Sequence, residues 1–589
     1  MSLKRQMKSI KMLFDLFTPD KQIAPTIQHV PQKKCWEGSI RSCSGEFHFP
    51  FSTPEREGID THYIREYIRE LNIEPTVDIH NIMILRHGNI IWQQSFGGYN
   101  ADLWHVCYSL SKTVTGLAIG IMWDQALIDL DESISDIFAH RITSRQYQTH
   151  KEVTVRNLLN MTSGVLFNEA SALTEDDWVK GFFEAVVINK PGKKFYYNSM
   201  NSFMLSAIIK ERTGLNMMDY LQSRLWQPLD IQDVYWELSP CGIEKGGWGL
   251  YLKLADTAKL GQLIMNDGIW QSDRIISAKW LEMSTSNVRR LPASFGDYNY
   301  GYHIWVGKHQ PSFLLNGMFG QNMLGIKDTG VLIIANGGND ELFQKGEFFN
   351  ITHKYFGEKF FPASTGLPVN FNNEISEEIS DINTLSREKA ARRSFVRLAH
   401  KLNGNRYEFK CKNAVAVGLM PLIMQVTQNN FTKGVSAVEF KRGIQLDGRK
   451  RIPVINITFT ENNKEYIIPV IYGKSGRTQI EFDGEQFEIC ITGTIRHGHL
   501  QIRISYMEMA NSRIIELQLK QNTNLIELVF SEIPSAEFIN RNLEMLLNGK
   551  IKSPGAHKVL HKALTRMQTK VTETLAPVLI GTKINDNNK

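Results

Sequence analysis

A chain of 589 residues is too long for one compact core, so two or more folded units are expected. With 42% hydrophobic and 22% charged residues it is neither disordered nor fibrous, and a net charge of +6 is too small a surplus to mark a nucleic-acid binder. No run of about 18 apolar residues occurs, so no membrane span is expected. The six cysteines include no C-x-x-C pair of the kind that holds zinc.

In chain order, residues 1–45 read as an irregular arm. The apolar stretch from Ile10 to Phe17 is broken by Lys11 and Asp15, and no small-residue cleavage site follows it. No secretory signal is read there, and a cytoplasmic location is the expectation. Cys35 and Cys43 would form a bridge only in an oxidising compartment. His80 to Phe96 has β-rich halves about Gly88, which predicts a hairpin. From Ser111, apolar residues recur at helical spacing (Val114, Leu117, Ala118, Ile121). Further helices are predicted over Val153–Gly164, after Asn198, and over Ala255–Gly268. Gly164, Gly214 and Gly268 stand where a glycine closes a helix. Strand patterns return at Tyr300–Gly307 and Thr329–Gly338. Residues 46–365 therefore read as an α+β unit, an antiparallel sheet flanked by helices with a helical subdomain inserted.

Residues 366–400 turn acidic and then basic, and read as a linker with a short helix. Over residues 401–550 the period is two, and Asn462-Asn463 and Asp483-Gly484 supply positive-φ turns for two hairpins. This is an all-β unit, a sandwich or a lipocalin-like barrel, with no catalytic constellation and an accessory or lid role expected. Residues 551–589 form a basic tail, seven Lys/Arg against Glu573 and Asp586, better read as a solvated helix than as an RNA or membrane contact.

The stretch with chemical content runs from Trp104 to Gly116. Ser109 and Lys112, three apart, share a helix face, so hydroxyl and amine can touch. A serine hydroxyl is a poor nucleophile until a base takes its proton, and a desolvated lysine is such a base. S-x-x-K alone is weak, since a capping serine followed by a surface lysine gives the same letters. His105 reads as structural or as pocket wall rather than as the base. No H-E-x-x-H, Walker loop or dinucleotide fingerprint occurs, so no metal and no cofactor are expected.

The flanks add to this. Ser109-Leu-Ser-Lys-Thr-Val-Thr-Gly116 resembles the nucleophile motif of the serine β-lactamase and penicillin-binding-protein superfamily, particularly its class C and esterase branch. Leu158–Gly164 resembles the L-L-x-H/M-T-S-G segment that ends a helix near the site in that branch. Pro191–Ser199 resembles P-G-x-x-x-Y-x-N, which implies that Tyr196 shares a proton with Lys112, partly ionised beside the ammonium. It also implies that Asn198 orients the lysine or a substrate amide. Leu315–Gln321 resembles the G-x-x-G-Q form of β-lactamase-related esterases and 6-aminohexanoate-dimer-hydrolase-like proteins, with leucine where many relatives carry a cation. The implied oxyanion hole is the backbone amides of Ser109 and of Met318, after Gly317, with Gln321 behind them. Gly246–Leu250 with Asp256 and Gly261 resembles a further segment downstream. The resemblance covers roughly residues 50 to 360.

It implies a serine hydrolase that cleaves esters or amides through an acyl-enzyme on Ser109, with Lys112 and Tyr196 as base. The substrate would be a small-molecule or peptide-like acyl compound with no obligatory carboxylate beside the scissile bond. Two alternatives remain: an acyltransferase or peptide cyclase of the same fold, and a catalytically weak binding protein.

Overall fold

The computed structural model describes residues 47–363, 382–410, 415–535 and 577–584, apart from short breaks at 173–174, 287, 342–343, 429, 448–449 and 521–522. The arm over residues 1–45, with Cys35 and Cys43, lies outside the described residues, as does most of the basic tail. The chain divides into two compact units, with the division in the polar stretch read as a linker.

In the first unit the hairpin forms as expected. Strands β1 (Ile79–Arg86) and β2 (Asn89–Ser95) are joined by His87 and Gly88 at φ 50° and 80°, the positive-φ turn that suits strand twist. Three short strands, β3 (His105–Val106), β4 (Tyr235–Trp236) and β5 (Leu250–Leu252), make a small sheet in the order β3-β5-β4. A minor hairpin pairs β6 (Ile269–Trp270) with β7 (Asp273–Arg274). Then come β8 (Tyr298–Tyr300), β9 (Trp305–Gly307), β10 (Ser312–Gly317), β11 (Gln321–Ile326) and β12 (Val331–Gly337). The main sheet has seven antiparallel strands in the order β2-β1-β12-β11-β10-β9-β8.

Strands β1, β10, β11 and β12 are buried at every position. Both faces of the sheet are covered, so side chains that alternate in direction all leave water. Ile82, Ile84, Leu314, Leu324 and Ile333 enter one core with Tyr67 and Phe348 of the helices Thr61–Ile73 and Glu347–Phe356. Met83, Leu85, Phe313, Leu315, Met323 and Leu332 enter the other, larger core with Val114, Leu117 and Leu260 of the helices Ser111–Asp124 and Leu254–Met265.

The helical region between β3 and β4 is built round the Ser199–Thr213 helix, buried from Ser199 through Ile209. Gly214 closes that helix in the left-handed conformation, φ 72°. Gly164 does not close its helix, while Gly268 closes the Leu254–Met265 helix only through its amide, which donates to Leu263 O at 2.9 Å, Asp267 taking the left-handed position at φ 50°. The Val155–Leu159 and Leu254–Met265 helices end on Asn160 and Asn266, and the glycines take positive φ in the turns beyond.

After the Ile382–Leu402 helix the second unit is a ten-stranded sheet. It comprises β13 (Arg406–Phe409), β14 (Val435–Asp447), β15 (Lys450–Glu461), β16 (Lys464–Ile471), β17 (Ser475–Phe482), β18 (Glu485–Arg496), β19 (His499–Tyr506), β20 (Ser512–Leu519), β21 (Leu525–Ile533) and β22 (Val578–Ile584). The order runs from β16 through β15, β14, β13, β22, β21, β20, β19 and β18 to β17, and a bridge from Tyr472 to Gly493 brings the two ends together. The unit is a nearly closed barrel and not a sandwich. Asn462-Asn463 and Asp483-Gly484 take positive φ at their turns, as expected. Strand β22 falls within the stretch read as a solvated tail and pairs with β13 and β21, partners that only the folded chain supplies.

Candidate active site

Every residue from Trp104 to Met122 is buried except Ser109. Tyr108–Leu110 forms a 3₁₀ turn leading directly into the Ser111–Asp124 helix, and the Ser111 hydroxyl donates back to the Tyr108 carbonyl at 2.5 Å. This turn lifts one polar side chain out of an otherwise enclosed segment.

Lys112 lies one turn on, 1% exposed, with its Nζ 2.8 Å from Ser109 Oγ and 2.8 Å from the Gly247 carbonyl. Burial lowers its pKa from the ordinary 10.5 to about 7, against a smaller upward pull from the Glu169 carboxylate. A charged ammonium loses hydration in such a place, so the neutral amine gains. The carbonyl of Gly247 reaches Lys112 because the backbone there runs against the Ser199–Thr213 helix. A Cβ on Gly247 would stand 2.7 Å from the Cβ of Ser199.

The two adjacent tyrosines part company. The Tyr197 ring lies 4.8 Å from Lys112 Nζ, and its phenol is hydrogen-bonded with Ser109. Tyr196 turns instead to Asn168. The structure thus brings Ser109, Lys112 and Tyr197 together and leaves Tyr196 out of the cluster. Burial raises the pKa of both phenols, Tyr197 strongly, so neither moves toward the partly ionised form expected of Tyr196.

Asn198 does not face the lysine. Its Oδ1 accepts the Met200 amide at 3.0 Å, capping the helix, and its Nδ2 donates to the Phe167 carbonyl at 2.8 Å. Both ends of the side-chain amide are occupied in holding chain to chain.

Opposite Ser109, strand β10 ends on Gly317, and the turn Met318–Gly320 follows. Met318 is half-exposed among buried neighbours from Ser312 to Ile326. Phe319 and Gly320 sit at φ 65° and 90°. Gln321 braces this turn, its Nε2 donating to Gly337 O at 2.8 Å and to Phe319 O at 3.2 Å. A second brace runs from the Phe319 amide to Glu341 O and from the Asn339 amide to Phe319 O, at 2.9 and 3.0 Å. Leu315, which takes the cation's place in the sequence pattern, is buried in the larger core. His105 is also enclosed, bonded to His80 at 3.0 Å and to the Val106 carbonyl.

Three groups beside the Ser109–Lys112 pair were not assigned a part from the sequence: Tyr197, the Gly247 carbonyl and Glu169. Tyr197 was adjacent to the residue singled out. Glu169 had no motif to announce it. It joins the site because Phe167 and Glu169 are tied to Asn198 and Ser199, the Ser199 amide donating to Glu169 Oε1 at 3.0 Å.

Residues 66–345 match the family model described as Beta-lactamase. The chain is 22% identical over 269 residues to the 6-aminohexanoate-dimer hydrolase of Paenarthrobacter ureafaciens, covering 41% of this chain and 68% of that protein. It is 24% identical over 166 residues to protein flp of Staphylococcus aureus (strain NCTC 8325 / PS 47), covering 26% of this chain and only 33% of that protein. Among solved structures, a putative 6-aminohexanoate-dimer hydrolase from Bacillus anthracis superposes with a TM-score of 0.44 at 18% identity, covering 53% of this chain and 86% of that one. Among the described residues, no helix is long and apolar enough to cross a membrane.

Proposed function

From the β-lactamase and penicillin-binding-protein-like serine-hydrolase fold that the first unit carries, we propose that the protein transfers acyl groups from esters or amides to water through an acyl-enzyme on Ser109. The observation that carries this reading is the 2.8 Å approach of Lys112 Nζ to the one half-exposed side chain in a buried run. Lys112, poised near pH 7, takes the proton as Ser109 Oγ attacks the carbonyl carbon. Tyr197, a phenol at cellular pH, passes a proton to the leaving group and recovers one from Lys112. The backbone amides of Ser109 and Met318 hold the oxyanion, and Gly317 and Gln321 set the Met318 turn in place. Water then attacks the ester on Ser109, the same amine accepting its proton and returning it to Ser109 Oγ as the C–Oγ bond breaks and the carboxylic acid leaves.

The test is intact-mass analysis after exposure to a fluorophosphonate. One adduct on the wild type, absent in Ser109→Ala and slowed in Lys112→Ala, supports the reading. An unlabelled, folded wild type defeats it.

A further inference from the structure

We infer that Glu341 is a positioning residue for acyl transfer: acting through Asn339, its carboxyl holds the Met318–Gly320 turn in place for the Met318 amide to receive the oxyanion. This rests on the serine-hydrolase reading above.

The turn hangs on the loop that follows β12. The Phe319 amide donates to the Glu341 carbonyl at 2.9 Å, and the Phe319 carbonyl accepts the Asn339 amide at 3.0 Å. Gly320 lies against the Asn339 side chain, where a Cβ would stand 2.6 Å from Nδ2. Asn339 is fixed at both ends of its side chain. Its Oδ1 accepts the Asp78 amide at 2.9 Å, which leaves Nδ2 to donate to Glu341 Oε2 at 3.4 Å. The other carboxyl oxygen, Oε1, accepts the Phe348 amide at 2.9 Å in the first turn of the Glu347–Phe356 helix. Gly346 admits the carboxyl, because any Cβ there would collide with Glu341 Cδ. A line of bonds therefore runs from that helix through Glu341 and Asn339 to the turn opposite Ser109.

The carboxyl is an expensive way to fill this space. Glu341 is 6% exposed, and a lone buried carboxylate costs stability. The charged groups it feels are Glu347, at the head of the helix, and Glu74, beyond the Thr61–Ile73 helix, with no cation among them. Burial first, and then these two carboxylates, raise its pKa to about 7. What the ionised group adds is direction. It accepts from the helix with one oxygen and from Asn339 with the other, and a proton on either oxygen weakens that acceptor. The tie on Asn339 is therefore tightest when Glu341 is charged.

The experiment compares 4-nitrophenyl acetate with its thiono counterpart, in which sulfur replaces the carbonyl oxygen. Both react through the same serine, the same amine and the same leaving group. Sulfur accepts hydrogen bonds poorly, so the ratio of the two acylation rates reads the oxyanion donors and cancels the titration of Lys112. In the full-length wild type the oxo-to-thiono ratio should rise about tenfold with pH, through a midpoint near 7. Glu341→Gln sets an amide NH₂ against that of Asn339, so its ratio should stay at the low value at every pH. A wild-type ratio that is flat with pH would overturn the inference, and this profile decides alone should the variant not fold. A folded Glu341→Gln that slows both esters by one factor would overturn it too, since that marks a residue that only supports the fold. So would a wild type that takes a fluorophosphonate on Ser109 yet releases 4-nitrophenol from the oxo ester no faster than Ser109→Ala, and there the serine-hydrolase reading survives. Neither labelling nor release sinks that reading and this inference together.

Discussion

Gly317 passes directly over the Cys107 carbonyl, so close that a Cβ there would stand 2.3 Å from that oxygen. Cys107 precedes the turn that presents Ser109, and Gly317 precedes the turn that presents Met318. Bare backbone against bare backbone is what lets the two turns meet. Gly317→Ala must push one of them away, at a cost of about 1–3 kcal/mol for overpacking a close contact. The expected result is a folded protein with a lowered melting midpoint whose labelling rate by a fluorophosphonate falls at least tenfold. Unchanged labelling would show that the two turns need not touch.

The tyrosines give a sharper test, because the two candidates are neighbours. Tyr197→Phe removes the hydroxyl bonded with Ser109 and should lower the acylation rate by about 10²–10⁴, the usual worth of a positioned acid or base. Tyr196→Phe removes a contact to Asn168 and should cost less than about tenfold, within the range of a merely supporting group. Pre-steady-state release of 4-nitrophenol from an activated ester measures both. The reverse ranking would return the role to Tyr196.

Why Ser109 and Lys112 were legible in the sequence and Tyr197 was not has a physical answer. The first pair sits at helical spacing, which fixes two side chains on one face. Tyr196 and Tyr197 lie outside any helix or strand, where sequence spacing fixes no common face, and only the packing against Lys112 decides which is inside. The same logic governs the strands. The β1–β2 hairpin was readable because His87-Gly88 is a recognisable turn. Strands β10 and β11 lacked alternation because both their faces are buried. Asn198 was singled out through the Pro191–Ser199 resemblance, as a residue orienting the lysine or a substrate amide. Its geometry is that of a cap.

Asn198→Ala should therefore act on stability before chemistry. The variant loses the bond to the Met200 amide and leaves the buried Phe167 carbonyl without its donor, at a cost of about 1–3 kcal/mol. Thermal unfolding should register the loss, and the pH dependence of labelling should keep the wild-type midpoint. A shifted midpoint would mean that Asn198 acts on Lys112 after all.

The lysine itself links activity to stability with opposite demands. Its folded pKa, about 7, lies below the ordinary 10.5, so the unfolded chain binds more protons between those values. Stability from this group therefore rises with pH from about 7 to 10.5, and the burial penalty is fully present below 7. The proposed acylation requires the neutral amine, so the labelling rate should also rise with pH and level off above a midpoint near 7. Lys112→Met keeps the length of the side chain and removes the charge. It should abolish the pH step in labelling and slow the reaction by about 10²–10⁴, yet raise the melting midpoint at pH 7 by roughly 2–4 °C for each kcal/mol of penalty relieved. A variant that is both inactive and less stable at pH 7 would show that the contacts of Nζ with Ser109 and Gly247 outweigh the cost of burying it.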